Sequence, residues 1–486
     1  MSLSDYISHF LAAPDSSWSF VSLPFAAVFV VFFTIYILLR KYSKAITLGY
    51  VIVFSLFFAY KANGVLMVLL PLTALLSYYM TRRMMEEEGR ARKMWMWGTV
   101  ILDLLPLLYY KYTNFFIEIL REITSSNLSP LSIILPVGIS FYTFQAISYT
   151  VDVYQKRFNM EVSLLEYLFY LTFFPLLIAG PITRAGTLIP QIKHRYHIDD
   201  HQVYTGLWLI MSGLMKKALI ADYIAQYNNW IFNDPTAYSG FENLMGVLGY
   251  TLQIYCDFSG YSDISIGLAS LLGITLKENF RYPYQSLNVQ EFWRRWHISL
   301  STWFRDYVYI PLGGNRKGTL RTYLNNFVTM LIAGLWHGAS WMFVIWGALH
   351  GIGGVVHKYC KRWLDPIPNT WYVKMVAWLV TFSYVALAWT FFRAPDLNTA
   401  LTIISHIATD FSIDYLVPFA ETRLTWTLFV IAGFGLHAMR ERHVDKLRQL
   451  YIDSPWTLKL ILLFVVMQIV INYRQSDIQP FIYAQF

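Results

Sequence analysis

Residues 18–39 read WSFVSLPFAAVFVVFFTIYILL, and this apolar run ends on Arg40, Lys41 and Lys44. A helix of about 20 mostly apolar residues is long enough to cross the hydrocarbon core of a bilayer. Because the basic residues follow the run rather than precede it, the pattern predicts a retained transmembrane helix, not a cleaved signal peptide. Cytoplasmic loops are enriched in Lys and Arg, so we expect the N-terminus outside the cytoplasm and Arg40 inside.

The composition extends this conclusion to the whole chain. Of the 486 residues, 56% are hydrophobic and only 14% are charged, whereas roughly 25% of residues are charged in a soluble domain. A water-facing fold could not hide 35 Phe, 35 Tyr and 17 Trp, so the soluble class is excluded. Two cysteines exclude a disulfide scaffold. The net charge of +8 is explained by basic cytoplasmic loops, so no nucleic-acid partner is expected.

Apolar runs recur as far as residue 471, and basic residues again follow the third run, at Arg82 and Arg83. Some runs, such as residues 264–274, are too short to span and indicate re-entrant pieces, whose irregular backbone must be buried in protein. The pattern predicts an all-α polytopic membrane protein with about 11 transmembrane helices plus re-entrant or interfacial helices. Since neither an internal repeat nor a linker is visible, we predict a single membrane domain over residues 1–486.

Polar residues are densest between residues 254 and 351, and polarity inside a membrane is costly enough to indicate function. This segment opens with Asp257 and Asp263, which flank Gly260, where either a second backbone could approach or a helix could break. The favoured interpretation is that the two carboxylates support the structure, as helix caps or as partners of arginines. Direct participation in chemistry is the alternative.

Residues 291–307 carry aromatic and cationic side chains at helical spacing, which indicates an interfacial or re-entrant helix. Its Arg294 and Arg295, with Arg316 and Lys317 in the turn that follows, could hold the phosphates of a cytoplasmic donor or of lipid head groups. Anchoring of a cytoplasmic loop explains the same charges equally well.

His337 is the strongest candidate for a chemical role. It lies between two long apolar runs, so its imidazole must be buried in protein or in a cavity, where the neutral, proton-accepting form is favoured. We expect Gly334 and Gly338 to leave space beside it, and Trp336 and Trp341 to form the walls of a pocket. His297 either faces the same cavity or bonds a carbonyl group.

Two other kinds of function, a metal site and a transporter, fit parts of the sequence less well. The loop with His194, His197, Asp199, Asp200 and His201 has metal-ligand residue types, but its polar surroundings favour a solvated connection, so no metal is expected. A transporter or export channel for a polysaccharide is the rival from another class. It is disfavoured because the two halves show no matching pair of broken helices.

Several motifs together resemble the membrane-bound O-acyltransferase family, and most closely its bacterial alginate O-acetyltransferase subfamily. They extend from near the first apolar run to the C-terminus, where Ala484 departs from the usual Tyr-Phe-Gln-Phe ending. The motifs are Tyr255-Cys256-Asp257-Phe258-Ser259-Gly260-Tyr261-Ser262-Asp263, Phe292-Trp293-Arg294-Arg295-Trp296-His297-Ile298-Ser299-Leu300-Ser301, Pro311-Leu312-Gly313-Gly314-Asn315-Arg316, Trp336-His337-Gly338, Gly180-Pro181-Ile182 with Arg184, Pro190-Gln191 and Pro480-Phe481-Ile482-Tyr483-Ala484-Gln485-Phe486.

The resemblance implies an O-acetyltransferase of the bacterial inner membrane, with a central tunnel and residues 254–351 as its catalytic core. His337 is then the catalytic general base, and His297 is a second functional residue. The donor implied is acetyl-CoA, without a bound cofactor. The residues implied to bind the substrate or the donor are Trp336, Trp341 and Ser340, together with the cations Arg294, Arg295, Arg316 and Lys317. The implied partners are a periplasmic O-acetyltransferase protein and an exported polysaccharide, such as alginate or peptidoglycan. D-alanyl transfer to teichoic acid from an acyl carrier protein is the alternative within the family.

Overall fold

The computed structural model describes residues 18–193, 198–368 and 370–473. Within these ranges no strand occurs, so the predicted all-α fold is confirmed. The α-helices, in chain order, are α1 Leu23–Leu39, α2 Lys44–Asn63, α3 Leu69–Glu86, α4 Gly89–Leu107, α5 Thr113–Thr124, α6 Ile139–Tyr154, α7 Leu164–Thr172, α8 Phe174–Leu177, α9 Ala185–Lys193, α10 Asp200–Leu214, α11 Asp222–Asn233, α12 Gly240–Leu271, α13 Val289–Arg295, α14 Ile298–Phe304, α15 Thr319–His337, α16 Trp341–Leu364, α17 Trp371–Arg393, α18 Leu397–Thr409, α19 Leu416–Thr422, α20 Leu424–Ala438, α21 Glu441–Asp453 and α22 Trp456–Tyr473.

Short helices of other types join these elements. They include 3₁₀ turns at Gly64–Val68, Pro235–Ala237, Pro283–Gln285 and Ile413–Tyr415, and π-helical turns at Leu108–Tyr112, Met215–Ala221 and Arg305–Tyr309.

Four helical stretches of the described residues are long and apolar enough to cross a membrane: Lys44–Glu86, Asp200–Asn233, Trp371–Arg393 and Trp456–Tyr473. A pair bent by 101°, Leu397–Thr409 with Ile413–Thr422, adds a fifth if it counts as one span. The chain is therefore a multi-pass membrane protein. The predicted total of about 11 spans is not confirmed and stays a prediction.

The first apolar run, residues 18–39, shows why helix lengths differ from prediction. The predicted span began at Trp18, but α1 begins at Leu23, with Pro24 in its first turn and the Ser22 side chain accepting a hydrogen bond from the Phe25 N–H at 3.3 Å. Proline is favoured in a first turn because the N–H groups there have no partner inside the helix. The remaining 17 residues give a helix about 25 Å long, shorter than the roughly 30 Å hydrocarbon core.

The chain divides into two compact units. The first contains the described residues up to Gly206 together with Ile264–Lys277, and the second contains Leu207–Asp263 and the described residues from Glu278 onwards. The prediction of one membrane domain stays a prediction. In the first unit, Phe174 is surrounded by the rings of Phe25, Phe32, Phe54 and Phe58, with centroids 5.0–6.4 Å away.

The second unit contains every residue predicted to form the site. Its core joins aromatic residues of α12, α13, α16 and α17. Helices α15 and α16 make close backbone contact at Gly334 and Gly347. A methyl group on Gly347 would lie 2.5 Å from the Met330 carbonyl oxygen, and one on Gly334 would overlap the Phe343 carbonyl oxygen. Small residues allow such close approach of membrane helices.

We expect Gly334→Ala to destabilise the second unit by about 1–3 kcal/mol, because the added methyl meets backbone that has no room to move. Gly435→Ala in α20 is the matched control, since no atom lies within 4 Å of its added methyl. Thermal unfolding of both variants in one detergent checks this. Equal melting temperatures would contradict the close α15–α16 contact.

Candidate active site

His337 is the last residue of α15 and is only 2% exposed. Aromatic rings surround its imidazole: Trp336 and Trp346 lie with centroids 4.9 Å away, and Phe392 of α17 lies 5.4 Å away. All three meet it edge to face, at interplanar angles of 73–87°. The structure thus places a proton-accepting group in a largely apolar enclosure. We call His337 and these three rings the histidine cage.

The glycines beside His337 do not leave the predicted space. The room at Gly334 is filled by α16 backbone, and the room at Gly338 is filled by the ring of Phe343. Because these glycines admit close neighbours rather than a ligand, the prediction of an opening on that side was wrong. Their physical role is to let the start of α16 fold against the end of α15.

The predicted binding residues around His337 are only partly brought together. Trp336 belongs to the cage, whereas Trp341, at the start of α16, is 53% exposed. Ser340 caps α16, accepting a hydrogen bond from the Met342 N–H at 3.3 Å. Trp346 and Phe392 were not predicted. Trp346 lies within the polar segment, but Phe392 comes from a distant helix that no local pattern connects to His337.

His297 also meets Trp336 edge to face, with ring centroids 6.3 Å apart. It is fully buried and adopts a left-handed backbone conformation, with φ of 42°, where it precedes α14. Its Nδ1 lies 3.3 Å from Oδ1 of Asn279, which also accepts hydrogen bonds from the backbone N–H and hydroxyl of Ser299. A carbonyl oxygen can only accept, so Nδ1 donates and Nε2 is left as the acceptor nitrogen. Burial lowers the pKa of His297 to about 3, which keeps the ring neutral.

A third histidine, His350 of α16, was not predicted as a site residue. Its ring is 4.8 Å from Trp346 and its Nδ1 accepts a hydrogen bond from the indole N–H of Trp293 at 3.3 Å. This hydrogen bond connects α13, which carries Trp293, to α16, which carries His350 and Trp346. The sequence did contain a signal, since His350 is a second ionisable residue in an apolar run.

The predicted cations fall into two groups. Arg295 is paired with Glu291, at 2.8 and 3.0 Å, four residues earlier in α13. Arg294, Arg316 and Lys317 have no acidic partner within residues 18–193, 198–368 and 370–473. Arg294 is exposed on α13, directly after the Trp293 that contacts His350. Cations without acidic partners remain available to an anionic ligand.

Asp257 and Asp263 lie inside helix α12 and pair with lysines, so the predicted helix caps or arginine partners were wrong. Lys217 contacts both Asp257 and Asp222, and Lys216 lies 2.7 Å from Asp263. Both lysines come from the π-helical turn Met215–Ala221. Of the two alternatives for Gly260, the approach of a second backbone is confirmed, because a methyl group there would lie 2.8 Å from the Gly213 carbonyl oxygen. The helix break was wrong, since α12 continues through this position. The carboxylates thus join two helices of the second unit.

The loop with metal-ligand residue types lies only partly within the described residues. His194 and His197 lie outside the described residues, as does the C-terminal motif from Pro480. Elsewhere in the described ranges, no group of three or more His, Cys, Asp or Glu side chains could hold a metal ion.

Comparison with known proteins shows which family this chain resembles. The model of the membrane-bound O-acyltransferase family matches residues 160–393, which include the cage. A probable alginate O-acetylase AlgI of Pseudomonas putida is 38% identical over 81% of this chain and 84% of its own length. The Helicobacter pylori peptidoglycan O-acetyltransferase is 36% identical over 76% of this chain and 75% of its own.

A further relative, the probable alginate O-acetylase AlgI of Pseudomonas aeruginosa, is 44% identical over 64% of this chain. In that comparison the chain spans only 59% of the relative's length. The family match covers the segment that the motifs had singled out, and two relatives align over three quarters or more of both chains. The chain therefore belongs to the membrane-bound O-acyltransferase family, within its alginate O-acetylase AlgI-like subfamily.

Proposed function

We propose that the protein is an O-acetyltransferase of the bacterial inner membrane. It transfers an acetyl group from a cytoplasmic thioester donor to a hydroxyl outside the cytoplasm. The observation that carries the proposal is a buried histidine enclosed by aromatic rings within the family-matched segment. The relatives' names support acetyl as the group and an exported polymer, alginate or peptidoglycan, as the acceptor. A periplasmic partner protein would complete delivery to the polymer.

His337 acts as the general base in this mechanism. The acceptor hydroxyl transfers its proton to the imidazole as its oxygen bonds to the thioester carbonyl carbon, and the carbonyl becomes an oxyanion. When that intermediate collapses, the C–S bond breaks and the departing thiolate takes the proton from the imidazolium. A positioned base contributes roughly 10²–10⁴ to a rate. The apolar cage excludes water, which would otherwise hydrolyse the thioester.

His297 supports this centre through its contact with Trp336. Its Nδ1–H is held by Asn279, so Nε2 is the nitrogen that accepts hydrogen bonds, and in this proposal it orders a substrate hydroxyl or a water. Asp257 and Asp263 contribute indirectly, by holding α12 in place.

The donor, acetyl-CoA or an acyl carrier protein, brings phosphates to the cytoplasmic face. Arg294, Arg316 and Lys317 are the cations that receive them, and Arg295 contributes less because Glu291 already neutralises it. In this proposal Trp341 and Ser340, at the start of α16, contact the donor. In this orientation the N-terminus lies in the periplasm.

We expect Arg294→Gln to raise the KM for a phosphate-bearing donor about tenfold with little change in kcat. A hydrogen bond to a charged group is worth about 1.5–3 kcal/mol, and the interaction is remote from the reacting atoms. Steady-state kinetics in liposomes measures it. Arg281→Gln is the matched control, because Arg281 is already paired with Glu441 at 2.8 and 3.0 Å. A loss confined to kcat would contradict a donor-binding role.

Reconstitution of the purified protein tests the proposed function itself. Radiolabelled acetyl-CoA is added to proteoliposomes on the side that the cytoplasmic face of the protein contacts. A hydroxyl acceptor is supplied on the opposite side of the membrane. Acetylated acceptor is the expected product. Transport of an oligosaccharide without any acyl transfer would instead establish the export channel. Mass spectrometry of the sugar fractions of a deletion strain identifies the polymer.

A further inference from the structure

Two buried N–H donors belong to neighbouring rings, one of which contacts His337. The indole Nε1 of Trp346 and the Nε2 of His350 have no hydrogen-bond acceptor within the parts of the chain that the structure describes. Trp346 is completely buried and His350 is 1% exposed. Their ring centroids are 4.8 Å apart. We call Trp346 and His350 the donor pair.

The tautomer of His350 follows from its bond to Trp293. An indole N–H can only donate, so Nδ1 of His350 is the acceptor nitrogen at 3.3 Å. In the neutral imidazole the proton is then on Nε2, which becomes a donor. The same bond fixes the plane of the ring, which also stacks on Phe292 at 8°. Both members of the donor pair are therefore held in place as donors.

Buried donors without acceptors are uncommon because each costs about 1–3 kcal/mol of desolvation. Two such donors on neighbouring rings indicate a carbonyl or oxyanion oxygen that arrives with a ligand. Trp346 meets the imidazole of His337 edge to face, with ring centroids 4.9 Å apart and an interplanar angle of 87°. Trp346 thus contacts the base at which the acceptor hydroxyl loses its proton, and His350 contacts Trp346.

We propose that Trp346 and His350 donate hydrogen bonds to the carbonyl oxygen of the acyl donor, and so stabilise the oxyanion formed when the acceptor oxygen attacks. This inference rests on the proposed function and names the stabilising residues of that same site. No electrons or protons are transferred to the donor pair. The pair supplies only fixed dipoles, which are most effective where water is excluded.

The main test is Trp346→Phe, which keeps a ring but removes the N–H. Loss of one oxyanion donor lowers kcat about 10²–10³-fold, with little change in the KM for the donor. His350→Phe is the second variant, and it should show a loss of the same kind. Trp426→Phe is the matched control, because that buried indole already donates to the Ile224 carbonyl at 3.3 Å. Its kcat should equal that of the wild type.

Sulfur substitution separates an oxyanion role from a structural one. Acetyl-CoA is compared with its dithioester analogue, in which sulfur, a weak acceptor, replaces the carbonyl oxygen. The wild type should prefer the oxygen substrate, and this preference should shrink at least tenfold in Trp346→Phe. A wild type that transfers no acetyl refutes the proposed function. An active wild type whose oxygen preference is unchanged in both variants refutes the donor pair alone.

Discussion

Replacing His337 with alanine lowers acyl transfer by about 10²–10⁴-fold, which brings it to the background of most assays. The reason is that no other proton acceptor is described in the histidine cage, whose remaining members are Trp336, Trp346 and Phe392. Trp346 and Trp336 can donate but not accept. The measurement is single-turnover acetyl transfer by purified variant in liposomes.

The variant set must separate lost chemistry from lost folding. His337→Gln keeps much of the volume and a polar group but cannot act as a base at neutral pH, so it should be inactive while melting near the wild-type temperature. His443→Ala is the matched control, because that histidine is exposed in α21 and should keep full activity. Full activity of His337→Gln would overturn the mechanism, whatever the stability of the alanine variant.

The sequence predicted the all-α membrane class and the position of the site for a physical reason. Lipid leaves a chain few alternatives to apolar helices, so composition alone determines the class. Polar residues in such a chain are costly, and their density pointed to the segment that holds His297 and His337. The motifs then connected that segment with the family whose model matches residues 160–393.

The errors arose where the three-dimensional partner is remote in sequence. Asp257 was expected to pair with arginine, but Lys217 is its partner, and no local spacing connects residues forty apart. Gly338 was expected to open a space, but the ring of Phe343 fills it once α16 folds back. Phe392 joins the cage from another helix. Local patterns report which residues are unusual, whereas packing decides which of them meet.

Loss of the ion pairs that Lys217 forms with Asp257 and Asp222 has the largest expected effect on stability. Lys217→Met should destabilise the protein by about 3–5 kcal/mol, because it removes the cation that contacts the buried Asp257 and the partly buried Asp222. The exposed fractions of the side chains are only 4% for Lys217 and 2% for Asp257. Thermal unfolding in one detergent, followed by tryptophan fluorescence, measures the loss.

Two comparison variants make that result specific. Arg448→Met breaks an exposed pair with Asp445 and should cost no more than about 1 kcal/mol. Adding Asp257→Asn to Lys217→Met removes the buried negative charge that Lys217 had contacted, and should restore part of the stability. If Lys217→Met were as stable as Arg448→Met, the pairing would not hold α12 in place. The effect should extend to the site, because Phe258, next to Asp257, meets His297 edge to face with centroids 4.5 Å apart.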